Sequence, residues 1–169
     1  MGREHHLPIR VRSTFSQDPG TLISAQADER PLVGLPLLGP VRIAVLPEQG
    51  LDATQWGVLE QHVGLVRLDI DDRTILCAPS GDTTNLVDKE LAASGIAALA
   101  WQPGYSLLSL IGAADAVAKM DEEAAEALRQ RRISCPWHEL VDRRATLVVP
   151  ESESKAALLA VYRTLRDYL

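Results

Sequence analysis

The sequence predicts an α+β protein of two βαββαβ units, the second completed by a strand that precedes the first. Three observations predict it. A strand–proline–helix block occurs twice, Arg73–Pro79 (RTILCAP) matching Arg144–Pro150 (RATLVVP). Each is rich in branched residues and ends in a proline that cannot continue a ladder. Upstream of each block the order strand, helix, strand is shared. The chain then stops one strand short of a second full unit, and Pro31–Leu35 (PLVGL) is a short apolar run of the right length to supply it.

Composition sets the class. The 169 residues are 46% hydrophobic, 24% charged and 4% aromatic, with net charge −6. Apolar content this high offsets the entropy of ordering the chain, which excludes a disordered acidic tail. A collagen and a disulfide scaffold are excluded by the same figures. The acidic balance argues against nucleic acid as a partner, because neutralising phosphates needs a basic face. Cys77 and Cys135 cannot make a disulfide framework and fit a reducing cytosol. No stretch reaches the ~20 apolar residues of a membrane span, and the N-terminus lacks the apolar region of a secretion signal. A cytoplasmic protein without a membrane partner is expected.

The elements follow in order. Val41–Val45 alternates as a half-buried strand. Asp52 opens a helix carrying Trp56 and Leu59, and Val63–Ile70 returns as a strand before Arg73–Pro79. Asp82, Thr83 and Thr84 are cap candidates for a helix with Leu86, Val87 and Leu91 on one face, ended by Gly95. Ile96–Trp101 closes the first unit.

In the second unit Tyr105–Ile111 is an apolar strand. Val117, Met120, Ala124, Ala127 and Leu128 mark a long helix, and Ile133–Val141 is the next strand. After Pro150, Ser152 or Ser154 caps a helix in which Leu158, Val161, Tyr162, Leu165 and Leu169 recur at spacings of three and four. Each unit is then a ferredoxin-like arrangement of antiparallel strands with two helices on one face. An open edge on the second sheet is avoided if 31–35 completes it, which interlocks the units. The division expected is 1–30, 41–103, and 104–169 together with 31–35.

On these elements the chain resembles the paired ACT domains of the regulatory half of aspartate kinases. Ser109–Ala113 (SLIGA), followed by a helix and a strand, is similar to their second-unit opening. Leu7–Phe15 (LPIRVRSTF) and Pro19–Ile23 (PGTLI) are similar to the last strand and exit of the kinase catalytic domain. The resemblance covers nearly the whole chain and implies a free-standing regulatory-subunit-like protein keeping the tail of the amino-acid kinase domain. The rest of that domain has no counterpart. No Gly-rich phosphate loop with a following lysine is present, and Lys89, Lys119 and Lys155 all fall in predicted helices, so no catalytic residue is assigned.

The resemblance also implies an amino-acid effector, usually lysine or threonine in that family, held at the contact between units by the loop after the first strand and the backbone of the second. The matching positions are Gln49, Gly50, Asp52, Ala53 and Thr54, with Gly64 and Leu65, in the first unit. In the second they are Ala113 and Asp115, with Ser134 and Cys135. A helix N-terminus offers free N–H groups to a carboxylate, and a strand edge pairs with ligand backbone atoms. The chain departs from the family in two places: the first loop lacks the Asp-x-Pro-Gly pattern, and the second strands lack the Asn-Ile pair.

Each position also has a plainer reading. Asp52-Ala53-Thr54-Gln55 resembles a capping box, so Asp52 and Thr54 also read as a helix start, and Asp115 reads as a helix cap. Cys135, His138 and Glu139 together suggest a nucleophile and base, but residues three apart on a strand face opposite ways unless Pro136 makes a bulge. Cys77, Cys135, His62 and His138 show no paired metal-ligand spacing, so neither a metal nor a cofactor is expected. Asp121, Glu122 and Glu123 near the start of a helix and Arg129, Arg131 and Arg132 near its end read as ordinary helix charge patterning. Trp56, Trp101 and Trp137 read as core or interface residues.

The function expected is a non-catalytic module that binds a small amino acid, forms a homodimer, and controls or assembles with a partner such as an amino-acid kinase. Two alternatives stand beside it: a scaffold blind to effectors, and an ACT pair turned into a biosynthetic enzyme through His138, Cys135, Glu139 or Asp52.

Overall fold

A computed structural model of the chain describes residues 9–11, 21–23, 30–46, 65–81, 84–93 and 99–169. Its strands are β1 (Ile9–Val11), β2 (Thr21–Ile23), β3 (Leu32–Gly34), β4 (Leu37–Val45), β5 (Val66–Ile70), β6 (Arg73–Pro79), β7 (Gln102–Gly112), β8 (Trp137–Val141) and β9 (Arg144–Pro150). Its helices are α1 (Thr84–Ala93), α2 (Ala114–Gln130) and α3 (Ser154–Leu165), with 3-10 turns at Glu151–Glu153 and Arg166–Tyr168. The helix expected from Asp52, and residues Asp82, Thr83 and Gly95, lie outside the described residues.

β1 and β2 pair with each other, and the remaining seven strands make one antiparallel sheet in the order β5-β6-β4-β7-β9-β8, with β3 also on β7. Each half repeats one order, β5-β6-β4 and β8-β9-β7, that of the first three strands of a βαββαβ unit. β3 lies on the side of β7 away from β9, with Leu32 opposite Gly112, in the place of a fourth strand. Direct pairing of β4 with β7, Leu37 opposite Leu108 and Val41 opposite Tyr105, joins the halves.

Both hairpins turn on an aspartate with positive φ, Asp71 at 51° and Asp142 at 47°. Aspartate tolerates that conformation because its short polar side chain bonds locally.

Side-chain alternation along β7 and β9 sends residues to two different cores. Leu108, Leu110, Ala145, Leu147 and Val149 meet Val117, Met120, Ala124 and Leu128 of α2 and Ala157, Ala160, Val161 and Leu165 of α3. These helical residues recur at spacings of three and four, so each helix buries a single stripe. Leu107 and Val148 point the other way and pack with Val41 and Ile43 of β4, Leu68 of β5, and Ile75 and Cys77 of β6. Leu68 and Ile75 are fully buried there, in a cluster that among the described residues holds strand residues alone, and Glu139 of β8 reaches the Asp69 amide of β5 at 2.6 Å. The sheet therefore curls until its two halves cover each other. Leu46, Leu76 and Leu91 of α1 form a smaller third cluster.

Several sequence expectations shift. Leu99–Trp101 lie outside any strand, and β7 begins at Gln102. Ile133–Pro136 also precede their strand, which starts at Trp137. Arg132 takes a positive φ of 58° and turns the chain out of α2, and Pro136 supplies no amide to a ladder. Neither Ser152 nor Ser154 caps α3, which is entered through a 3-10 turn without a side-chain cap bond. Tyr162 and Leu169, expected on the apolar stripe, are exposed. β4 is buried on both faces from Val41 to Ala44 rather than alternating. No described helix is long and apolar enough to cross a membrane.

Candidate functional site

The loop after β7 is a single residue, Ala113, whose carbonyl accepts the Ala116 and Val117 amides at 3.1 and 3.0 Å. It is the N-cap of α2 and makes no side-chain cap bond. Asp115 is thus not the cap. It lies exposed in the first turn, where its charge suits the helix dipole. The amide of Ala113 is already taken by the Arg30 and Pro31 carbonyls at 3.2 and 3.1 Å, and the Gly112 amide by the Arg143 carbonyl at 3.1 Å. These two donors of the loop are spent on holding the chain together.

Ser134 and Cys135 stand at the other end of α2. The cleft they line, with Glu122, Glu126 and Arg129, includes neither Ala113 nor Asp115. In the first unit Leu65 is half-buried against Leu46, Leu76 and Leu91. Gln49, Gly50, Asp52, Ala53, Thr54, His62 and Gly64 lie outside the described residues.

Ser134 and Cys135 do line an open cleft of about 680 Å³ between the C-terminal half of α2 and the start of β8, together with Glu122, Glu126, Arg129, Arg132 and His138. Cys135 and His138 share this cleft, contrary to the opposite-face expectation, because Cys135 precedes β8 and does not obey its alternation. The Cys135 thiol donates to the Trp137 carbonyl at 3.4 Å. Burial pushes it up to about 11, with the Asp121 charge adding to the rise and a backbone hydrogen bond at Val148 opposing it. Cys77 on the inner face is pushed up to about 12, again by burial, with Glu139 adding. Thiols held so high are mostly protonated and make poor nucleophiles. Iodoacetamide at about pH 7.5 is expected to spare both cysteines in the folded protein and modify both after unfolding, which mass analysis reads directly. Rapid labelling of folded Cys135 would reopen a catalytic reading.

Asp121 is not surface patterning. Its residue is 7% exposed, on the same buried stripe as Val117, Ala124 and Leu128. One carboxylate oxygen, Oδ1, has no partner. The other, Oδ2, is 3.9 Å from Nε2 of the exposed His138. Burial raises its pKa, Glu122 adds to the rise, and His138 opposes it. A carboxyl with a raised folded-state pKa stabilises most when protonated, so its contribution is lost as pH climbs through that value. Asp121→Asn is therefore expected to stabilise by about 1 kcal/mol at neutral pH, where it removes a charged, unsatisfied acceptor, with the gain fading toward pH ~4. Thermal unfolding of both proteins across that range checks it.

Glu139 of β8 is buried, accepting the Asp69 amide at 2.6 Å and the Arg144 guanidinium at 2.9 Å. Those bonds make it structural. Another cluster escaped the sequence reading. Arg42 of β4 is buried, lies 4.1 Å from the centre of the Trp101 ring, and bonds Asp88 of α1 at 3.1 and 3.2 Å. The Trp101 indole donates to the same Asp88 at 2.8 Å. The alternating pattern of Val41–Val45 places Arg42 toward solvent, whereas α1 and Trp101, distant in sequence, cover it. Trp137 meets Tyr105 edge-on at 5.8 Å. Among the described residues no group of three or more His, Cys, Asp or Glu side chains is placed to hold a metal ion.

No protein-family profile and no curated protein matches the chain. Solved structures do. The chain is similar to the regulatory subunit of aspartate kinase from Thermus thermophilus, ligand-free form, at TM-score 0.61 and 16% identity, over 79% of this chain and 97% of that one. It is similar to Clostridium acetobutylicum aspartate kinase at TM-score 0.64 and 14% identity over 98% of this chain. With E. coli aspartokinase III in complex with aspartate and ADP the TM-score is 0.69 at 17% identity, again over 98%. It spans only 43% and 41% of those two whole kinases. The chain has the fold of the ACT-type regulatory region of aspartate kinases.

Proposed function

We propose that the chain is a non-catalytic ACT-type regulatory module that binds a small amino acid and controls, or assembles with, a partner enzyme such as an aspartate kinase. One observation carries this reading: the fold matches a free-standing regulatory subunit over 97% of that subunit's length. The absence of a phosphate-binding loop from the sequence and the high-lying thiols at Cys77 and Cys135 fit a module without chemistry of its own. A second copy of the chain is the proposed assembly partner, and the cytosol the proposed compartment. The ligand positions carried over are Gln49, Gly50, Asp52, Ala53, Thr54, Gly64 and Leu65, with Ala113, Asp115, Ser134 and Cys135.

The effector-blind scaffold is supported by one specific feature, the commitment of the Gly112 and Ala113 amides to Arg143, Arg30 and Pro31. A melting-temperature screen against the common amino acids separates the readings. A ligand at a hundredfold excess over its Kd stabilises by about 2.7 kcal/mol and shifts the transition by several degrees. A shift confined to one or a few amino acids is the expected result. No shift with any of them, together with copurification of a kinase, leaves the scaffold. Failure of both overturns the regulatory reading.

A further inference from the structure

Among the described residues β5 and β8 end the sheet's strand order, and the two meet. Among the described residues β5 ladders only with β6, and β8 only with β9. Their meeting is made by a side chain: the Glu139 carboxylate reaches across from β8 and accepts the outward amide of Asp69 on β5 at 2.6 Å. The charge of Glu139 is balanced by Arg144 at 2.9 Å, whose side chain is 43% exposed while that of Glu139 is 5% exposed. The Asp69 carboxylate does not compete for its own amide, because Oδ1 is held by Arg67 and Thr74 at 2.9 and 2.7 Å.

We propose that Glu139 is a strap joining the two edges of the sheet, and that the module opens along the β5–β8 seam when the strap is released. This goes beyond the regulatory reading and stands whether or not an amino acid binds. Near the seam the inner core is least complete: Val66, Ile70, Tyr105 and Trp137 are only partly buried, whereas Leu68, Ile75 and Cys77 beneath them are enclosed. Opening there uncovers only the small cluster of Leu68, Ile75 and Cys77 and leaves the helix-covered cluster of Leu108, Leu110 and Leu147 packed, which is the condition for a local rather than global transition. The strap also occupies an edge donor that a strand from another chain would use, so the closed state shields β5 from pairing.

Cys77 reports the opening, since it lies on the enclosed face and is 1% exposed. With Cys135→Ser to leave a single thiol, Glu139→Ala is expected to speed modification of Cys77 by N-ethylmaleimide about tenfold, while the Leu108 and Leu147 amides keep their exchange protection. Glu139→Gln removes the same charge beside Cys77 but keeps an acceptor for Asp69, so it is expected to stay within about threefold of the parent. Equal acceleration by both variants assigns the effect to charge and overturns the strap. So does acceleration by neither, or a matching rise in exchange at Leu108 and Leu147, which marks global destabilisation.

Discussion

Gly112→Ala is expected to destabilise the protein by about 3 kcal/mol, combining an overpacked contact with a strained or lost backbone hydrogen bond. A Cβ at this position would overlap the Pro31 carbonyl, which is backbone and cannot rotate away. Displacing Pro31 loosens the grip of the Arg30 and Pro31 carbonyls on Ala113. It also withdraws Leu32, fully buried, from the cluster with Leu108, Leu110 and Met120. Leu32→Ala is a companion that removes the packing without the clash, at about 2–5 kcal/mol. Urea unfolding of both variants measures the effect. A midpoint unchanged in Gly112→Ala would show that β3 does not hold its place against β7.

Arg42→Ala is expected to cost about 2–3 kcal/mol, below the 3–5 kcal/mol of a fully buried pair because Asp88 is 46% exposed and partly screened. The loss combines two bonds to Asp88, the stacking on Trp101 and the buried aliphatic stem. Arg42→Met keeps the stem and is expected to recover about half of the packing loss. A double-mutant cycle with Asp88→Asn isolates the ion-pair part, and a coupling near zero would reduce Arg42 to a filler of space.

Where one face of an element met one environment, its residues announced it. Val117, Met120, Ala124 and Leu128 at helical spacing located α2, and the repeated branched runs ended by Pro79 and Pro150 located β6 and β9. The strand beside β7 was legible too, because Pro31–Leu35 is an apolar run of strand length, and β3 within it pairs with β7. Two-sided environments defeated the reading. β4 is covered by the sheet's other half on one face and by α1 with Trp101 on the other, so Arg42 breaks the alternation without any local signal. Asp121 sits in an acidic run that reads as solvated, although its position one after Met120 carries it onto the buried stripe. Strand alternation does not relate Cys135 to His138, because His138 lies in β8 and Cys135 precedes it. The hint lay in Pro136, which has no amide to lend a ladder.

The grip of two carbonyls on Ala113 has a mechanical consequence. Residues 30 and 31 are fastened to the base of α2 without passing through β4, β5 or β6. Tension on the backbone just upstream is therefore delivered to the second half's long helix first, as a cord tied to a lever. The polypeptide leading into Arg30 and the helix that walls the Cys135 cleft are linked in a single step.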